Sequence, residues 1–162
     1  MGSEMCIRDR SGPIPTYIKA MLDDLYNTDI LTLSASLRNE ALERPDGTAR
    51  KVSKLCGSWL EIDVNVLKGI VSDCALRVQA CALGQSSAAI IKEAIIGASL
   101  KEIVTAHDDL RAMLKEGGEA PTGRFAKLAL LKGVADYPAR HTSTLLAFDA
   151  AATAVERAIA NG

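Results

Sequence analysis

The chain has 162 residues, 48% of them hydrophobic and only 4% aromatic, with a formal net charge of −1. That length suffices for one domain with a packed core and hardly for two. Charges of both signs are scattered, so no basic footprint for nucleic acid stands out. No apolar run reaches the roughly 20 residues of a membrane span, and a cytoplasmic protein is expected.

Residues 1–10 (MGSEMCIRDR) have no periodicity and lack the apolar core of a signal peptide. They resemble translated adapter sequence, so 1–20 is expected to be a non-native or disordered leader, with one domain over 21–162 and Cys6 outside any site. Ile18, Met21, Leu22, Leu25, Tyr26, Leu31 and Leu33 recur at helical spacing across 15–37, opposite Asp23 and Asp24. The polar stretch 38–47 ends in the turn signal Pro45-Asp46-Gly47. Ala49 to Cys56, with Arg50, Lys51 and Lys54, reads as an edge strand.

A hairpin follows. Leu60, Ile62, Val64 and Val66 alternate with Trp59, Glu61, Asp63 and Asn65; beyond Lys68-Gly69, Ile70, Ser72, Cys74, Leu76 and Val78 alternate with Val71, Asp73, Ala75, Arg77 and Gln79. Directly opposed residues share a face, so the two apolar sets must match. A two-residue loop would oppose Val64 to Asp73 and mix the faces. A three-residue loop containing Gly69 opposes Val64 to Cys74 and Ile62 to Leu76. That register sets Gly57 across from Cys81 and brings Cys56 within one position of Cys81, near enough to share a metal or a sulfur atom.

Everything after Cys81 reads as helix. Ala82 to Gly97 is small and apolar enough to lie flat on the sheet. Ser99-Leu100-Lys101-Glu102 forms a capping box for a second helix, and Thr105 to Asp108 starts a third that runs to Lys115. Residues 116–123 form a loop, 124–132 a short helix, and Pro138 opens the last helix, with Leu145, Phe148, Ala152, Val155 and Ile159 as its buried stripe. The expected fold is α+β: a three-stranded antiparallel sheet packed on one side by about five or six helices.

Four cysteines in such a chain favour metal or sulfur chemistry over a disulfide framework. Cys81 falls at or just before a helix N-terminus, where free N–H groups and the macrodipole favour thiolate, the form that binds metal or attacks a persulfide. Gly57 lets the backbone approach beside Cys56, and Gly84 keeps the helix start open. Against this stands the reading of both cysteines as small buried hydrophobes; their convergence at one sheet end favours a site. Cys74 alternates with core residues and belongs to the core. His141 reaches the cysteine end if the last helix packs back there, and is otherwise an exposed histidine. His107 reads as structural. Trp59 packs beneath a helix or loop, or else presents a partner surface.

Several segments are familiar in order: Leu37-Arg38-Asn39, Cys56-Gly57, Gln79-Ala80-Cys81 followed by Ala88-Ala89-Ile90, Gly97-Ala98-Ser99-Leu100, and Leu145 to Ala150. On these the chain, from about Tyr26 to Ala160, resembles the U-type iron–sulfur cluster scaffold family, the NifU N-terminal-like, IscU-like and SufU-like domains. The resemblance implies a scaffold or carrier for a labile iron–sulfur cluster, of the 2Fe-2S type, or for iron. Such a carrier binds its cargo through Cys56 and Cys81 and works with a cysteine desulfurase and recipient apo-proteins, without enzymatic turnover of its own. It also implies two alternatives: a persulfide acceptor at Cys81, zinc-dependent or metal-free, and a degenerate regulator of cluster assembly.

The departures are specific. Ser58 stands where the family has aspartate, Ser143 where it has a third cysteine, and Thr142 where a histidine often precedes that cysteine. A Leu-Pro-Pro-Val-Lys segment is missing from 134–140. Serine is a poor soft-metal ligand, so two thiolates leave a four-ligand site incomplete. His141 is the expected substitute; alternatively a homodimer shares one cluster between two copies of Cys56 and Cys81.

Overall fold

The computed structural model describes residues 28–54 and 57–161. Lys68 and Gly69 turn the hairpin with φ of 56° and 80°, the left-handed pair that a two-residue type I′ turn requires. Leu67 therefore pairs with Ile70 and Val66 with Val71; the register then shifts, Asn65 pairs with Asp73, and Ser72 is left over. The expected pairs Val64–Cys74 and Ile62–Leu76 are present. The extra residue that makes them possible sits in the strand as a bulge, where the sequence reading had put it in the turn. A bulge reverses alternation, so Val71 is buried while Ile70 and Ser72 are exposed, the opposite of the face expected for those three.

The sheet runs β1 (Gly47–Val52), β2 (Trp59–Leu67), β3 (Ile70–Gln79), antiparallel throughout and in that spatial order. β1 begins and ends earlier than expected. A turn closed by Ser53 N–H to Ser58 O (2.7 Å) and Gly57 N–H to Ser53 O (2.9 Å) takes the chain to β2, and Gly57 has the positive φ of 71° that suits a glycine.

Among the described residues the α-helices are α1 (Thr28–Ser36), α2 (Ala82–Ala94), α3 (Leu100–Lys115) and α4 (His141–Asn161), with 3-10 turns at Gly123–Asp136 and Pro138–Arg140. The α+β class and one-sided helical layer are as expected. In α1 Ile30 and Leu33 are buried while Leu31 faces out; the positions of the expected helix before residue 28, and the leader, lie outside the described residues. The capping box forms between Ser99 and Glu102. α3 then runs unbroken through Thr105–Asp108, because no glycine or proline interrupts it. The expected helix at 124–132 is instead a train of 3-10 turns reaching Asp136, and Pro138 opens a single 3-10 turn ahead of α4.

The helix that covers the sheet is α4, which lies against β1 and β2, while α2 packs mainly against α1, α4 and the long 3-10 segment. Small residues decide this. Ala147, Ala150, Ala151, Ala154 and Ala158 are all buried, and they let α4 come so near β1 that a Cβ on Gly47 would lie 2.1 Å from Ala154 O. The buried side of α4 is accordingly wider than the expected stripe, with Ala152 half-buried and Ile159 exposed. Phe148 meets Phe125 edge-on, 5.4 Å between ring centroids.

The opposite sheet face is polar and crossed by residues 39–46. Asp63, buried there, accepts from Arg77 twice (3.0 Å each), from Thr48 Oγ1 (2.9 Å) and from Leu42 N–H (3.0 Å). Burial works against its charge, yet these donors together outweigh it and hold the carboxyl below its ordinary value. The sheet edges are closed: Glu40 N–H and Asn39 Oδ1 bond β3 at Leu76 and Val78, and Arg157 reaches Thr48 O on β1.

Candidate functional site

Cys81 is the N-cap of α2, in extended conformation (φ −67°, ψ 170°), with no hydrogen bond from its side chain to the helix start. It lies two residues past the end of β3, half-buried, as a free thiol. A cysteine here follows from the local code: a strand that ends at Gln79, one linking residue, then an alanine-rich helix whose first N–H groups have no partner.

The start of α4 closes on the same place. Cys81 Sγ lies 3.8 Å from Ser143 Oγ, a meeting of residues 62 positions apart. Gly84 makes this possible, since a Cβ there would stand 2.8 Å from Ala80 Cβ and 3.3 Å from Ser143 O. Its role is to admit α4, where the sequence reading had it merely keep the helix start open. Ser143 is 2% exposed and donates to Arg140 O at 3.2 Å. Thr144 Oγ1 donates to the same carbonyl at 2.8 Å, and Ser87 Oγ of α2 donates to Thr144 O at 2.7 Å. Thr142 faces out.

His141 begins α4 and is buried, 7% exposed. Its Nε2 is within bonding distance of two carbonyls, Val134 O (3.1 Å) and Ala135 O (3.2 Å). Carbonyls only accept, so Nε2 carries the proton, and in the neutral ring Nδ1 holds the lone pair. The histidine pins the end of the 3-10 segment to the start of α4; the exposed alternative does not hold.

Cys56 lies outside the described residues, as does Cys6. The β2–β3 register that would set Gly57 across from Cys81 holds up to its last pair, Trp59 with Gln79. Ser58 is buried and its carbonyl accepts from Ser53 N–H. Cys74 is in the core as expected, 1% exposed, and burial pushes its thiol up to about 12 despite nearby Lys92. Among the described residues no group of three or more His, Cys, Asp or Glu is placed to hold a metal ion. Cys81 and Ser143 together offer one thiol and one hydroxyl, fewer donors than a metal site takes.

Two aromatic side chains away from the site are also placed. Trp59 is half-buried, with Arg50 stacked on its ring at 4.4 Å and Nε1 donating to Gln79 Oε1 at 3.1 Å. His107 is structural, but within α3, where Nε2 meets Asp149 Oδ1 of α4 at 2.6 Å. The Asp149 hydrogen bond raises its pKa, against a smaller effect of burial. No described helix is long and apolar enough to cross a membrane.

Residues 25–144 match the family model of the NifU-like N terminal domain. The chain is similar to the iron-sulfur cluster assembly scaffold protein IscU of Thermotoga maritima, 28% identical over 93 residues, 57% of this chain and 65% of that protein. It is also similar to IscU of Streptococcus pyogenes serotype M1, 29% identical over 103 residues, 63% of this chain and 64% of that protein. It thus spans a little under two thirds of the length of these curated relatives. Among solved structures, the N-terminal NifU-like protein from Brucella abortus superposes with a TM-score of 0.84 at 43% identity, covering 88% of this chain and 99% of that one. SufU of Fervidobacterium islandicum AW-1 superposes with a TM-score of 0.75 at 19% identity, covering 82% and 98%, a likeness of fold alone.

Proposed function

The chain belongs to the NifU-like N-terminal domain family, and from that membership we propose that it is an iron–sulfur cluster assembly scaffold or carrier. Its cargo is iron with sulfide, of the 2Fe-2S type, held by the thiolates of Cys56 and Cys81. Sulfur arrives from a cysteine desulfurase, and the assembled unit passes to recipient apo-proteins in the cytoplasm. The chain binds and hands on; it carries no turnover chemistry of its own.

The observation that supports this most is the setting of Cys81. It is a half-exposed thiol at a helix N-cap that it does not itself cap, with a second helix start packed beside it. The N–H groups of that helix start suit the negative charge of a sulfide-bridged iron unit. His141 joins the donor set only through Nδ1, because Nε2 is committed to two carbonyls. A homodimer sharing one cluster would supply four thiolates from two copies of Cys56 and Cys81.

Anaerobic reconstitution with ferrous iron and sulfide tests the reading. Visible absorbance should develop and be lost in Cys56→Ser and in Cys81→Ser; a colourless wild-type protein with no bound iron refutes it. Unchanged iron loading in His141→Ala removes that residue from the donor set.

Ser143 beside Cys81 supports a second reading, a sulfur relay without a cluster. The Cys81 thiolate would attack the outer sulfur of a desulfurase persulfide, forming Cys81–S–SH and releasing the desulfurase thiolate, with no external oxidant or reductant. A mass gain of one sulfur atom at Cys81, with no chromophore, would favour it.

A further inference from the structure

β1 is an outer strand of the sheet and pairs on one side with β2. Alternate residues of such a strand aim their backbone N–H and C=O at the partner, and those between aim them outward. Ser53 N–H bonds Ser58 O across the ladder, so the backbones of Ser53, Lys51 and Ala49 face inward. Those of Thr48, Arg50 and Val52 face outward, as the approach of Arg157 to Thr48 O at 2.7 Å confirms. That arginine closes the edge at Thr48. Among the described residues nothing bonds the outward backbone groups of Arg50 or Val52. Both residues are exposed, Val52 at 54%. Their N–H and C=O groups form a strand template without a strand on it.

The charge along this opening has one sign. Residues 47–54 hold Arg50, Lys51 and Lys54 and no acid, and Arg157 flanks them. Glu61, paired across from Arg50, is engaged by Arg77 at 3.3 Å. Antiparallel pairing with β1 of a second copy would set these cations against their own kind, which is destabilising. An acidic strand meets them as counter-charges.

We propose that the β1 edge at Arg50–Val52 is a docking site for an extended acidic segment of a partner protein, added to the sheet as a further strand. The outward groups of Arg50 and Val52 bond the main chain of that segment. Directly opposed residues share a face, so an antiparallel segment places an apolar side chain across from Val52 and acidic ones across from Lys51 and Arg50. Val52 pairs with Trp59, and Trp59 with Gln79, two residues before Cys81. The added strand therefore runs to the end of the sheet where that thiol lies. Docking is independent of what Cys81 holds.

Trp59 is the one tryptophan of the chain and lies under Arg50 at 4.4 Å, so its fluorescence reads the edge directly. The probe is a capped peptide, glutamate-threonine-valine-glutamate-glutamate-threonine, titrated into the full chain at low salt. A saturable change with a Kd below about 1 mM is expected, and the same peptide with lysine for glutamate should give none. Val52→Pro removes an outward N–H at an edge position that tolerates proline and keeps every charge; it should abolish binding. Lys51→Glu combined with Lys54→Glu leaves the Arg50–Trp59 reporter in place and should weaken binding at least about tenfold. This variant carries the test if Val52→Pro folds poorly by circular dichroism.

A wild-type chain that ignores the acidic peptide overturns the proposal. So does full binding by well-folded Val52→Pro, since the attraction would then be charge without strand addition. Self-association of the peptide-free protein that Val52→Pro abolishes also overturns it, because the edge would then serve a second copy.

Discussion

Gly47 sets the distance between the sheet and the helix that covers it, and an alanine there should be among the costliest single changes in the fold. The added Cβ would lie 2.1 Å from Ala154 O and 2.7 Å from Ala158 N, against 3.4 Å for ordinary contact. Both obstacles are backbone atoms of α4, so no rotamer change relieves them; β1 and α4 must part by more than an ångström. A gap of that size forfeits a quarter to a half or more of the contact energy along the seam. Overpacking a well-packed site costs about 1–3 kcal/mol, occasionally more, and this contact lies at the severe end, about 3 kcal/mol or above. For a domain of this size that amounts to a fall in Tm of roughly 6–12 °C. Urea unfolding of Gly47→Ala, followed by circular dichroism, should show the lower midpoint with an unchanged m-value. Trimming the side-chain neighbour does not help: Ala158→Gly removes only a 3.0 Å contact, so the double variant should be no more stable than Gly47→Ala. A Gly47→Ala protein within about 0.5 kcal/mol of wild type, the range of ordinary surface changes, would refute the close-packing argument, and so would rescue by Ala158→Gly.

Other consequences are open to measurement. Phe148→Ala removes a fully buried ring and its edge-on contact with Phe125, and should cost about 3–5 kcal/mol in denaturant unfolding. Asp63 is held below its ordinary value of 3.8, so the stability it contributes is complete above that value and is lost as pH falls through the lower folded one. Asp63→Asn should be less stable than wild type at neutral pH, and its stability should fall less on acidification. His107 is raised above 6.5 by Asp149; its contribution is complete below that pH and fades as pH rises through the folded value, and His107→Gln should abolish this slope. Lys68 holds φ at 56° in the hairpin turn, so Lys68→Asn, matching the Asn-Gly preference of that turn, should stabilise by about 0.5–1 kcal/mol.

The pairing of β2 with β3 was legible because burial demands one register. Matching Val64 to Cys74 and Ile62 to Leu76 is the way to keep both apolar sets on the core. How the chain reached that register was not legible. A three-residue loop and a two-residue turn with a bulge satisfy the same constraint, and the choice turns on whether Lys68 tolerates a left-handed backbone. Cys81 at the head of α2 was equally readable, since strand pattern, linker and alanine-rich run are all local. The errors in the helical half share one cause. Capping signals such as Thr105–Asp108 are short and recur inside continuous helices. Nothing in residues 82–97 or 141–161 alone tells which apolar helix lies on the sheet; glycine facing alanine across the β1–α4 seam decides that.

From the amino-acid sequence by itself came the α+β class, the hairpin pairing, the core position of Cys74 and the helix-start position of Cys81, because each depends on periodicity or on neighbours a few residues away. Only the tertiary structure set Ser143 3.8 Å from Cys81, turned His141 Nε2 onto two backbone carbonyls and tied His107 to Asp149. These contacts join segments brought together by packing. Whether two helix starts meet depends on the room a glycine such as Gly84 leaves between them, a property of the assembled pair that neither segment carries alone.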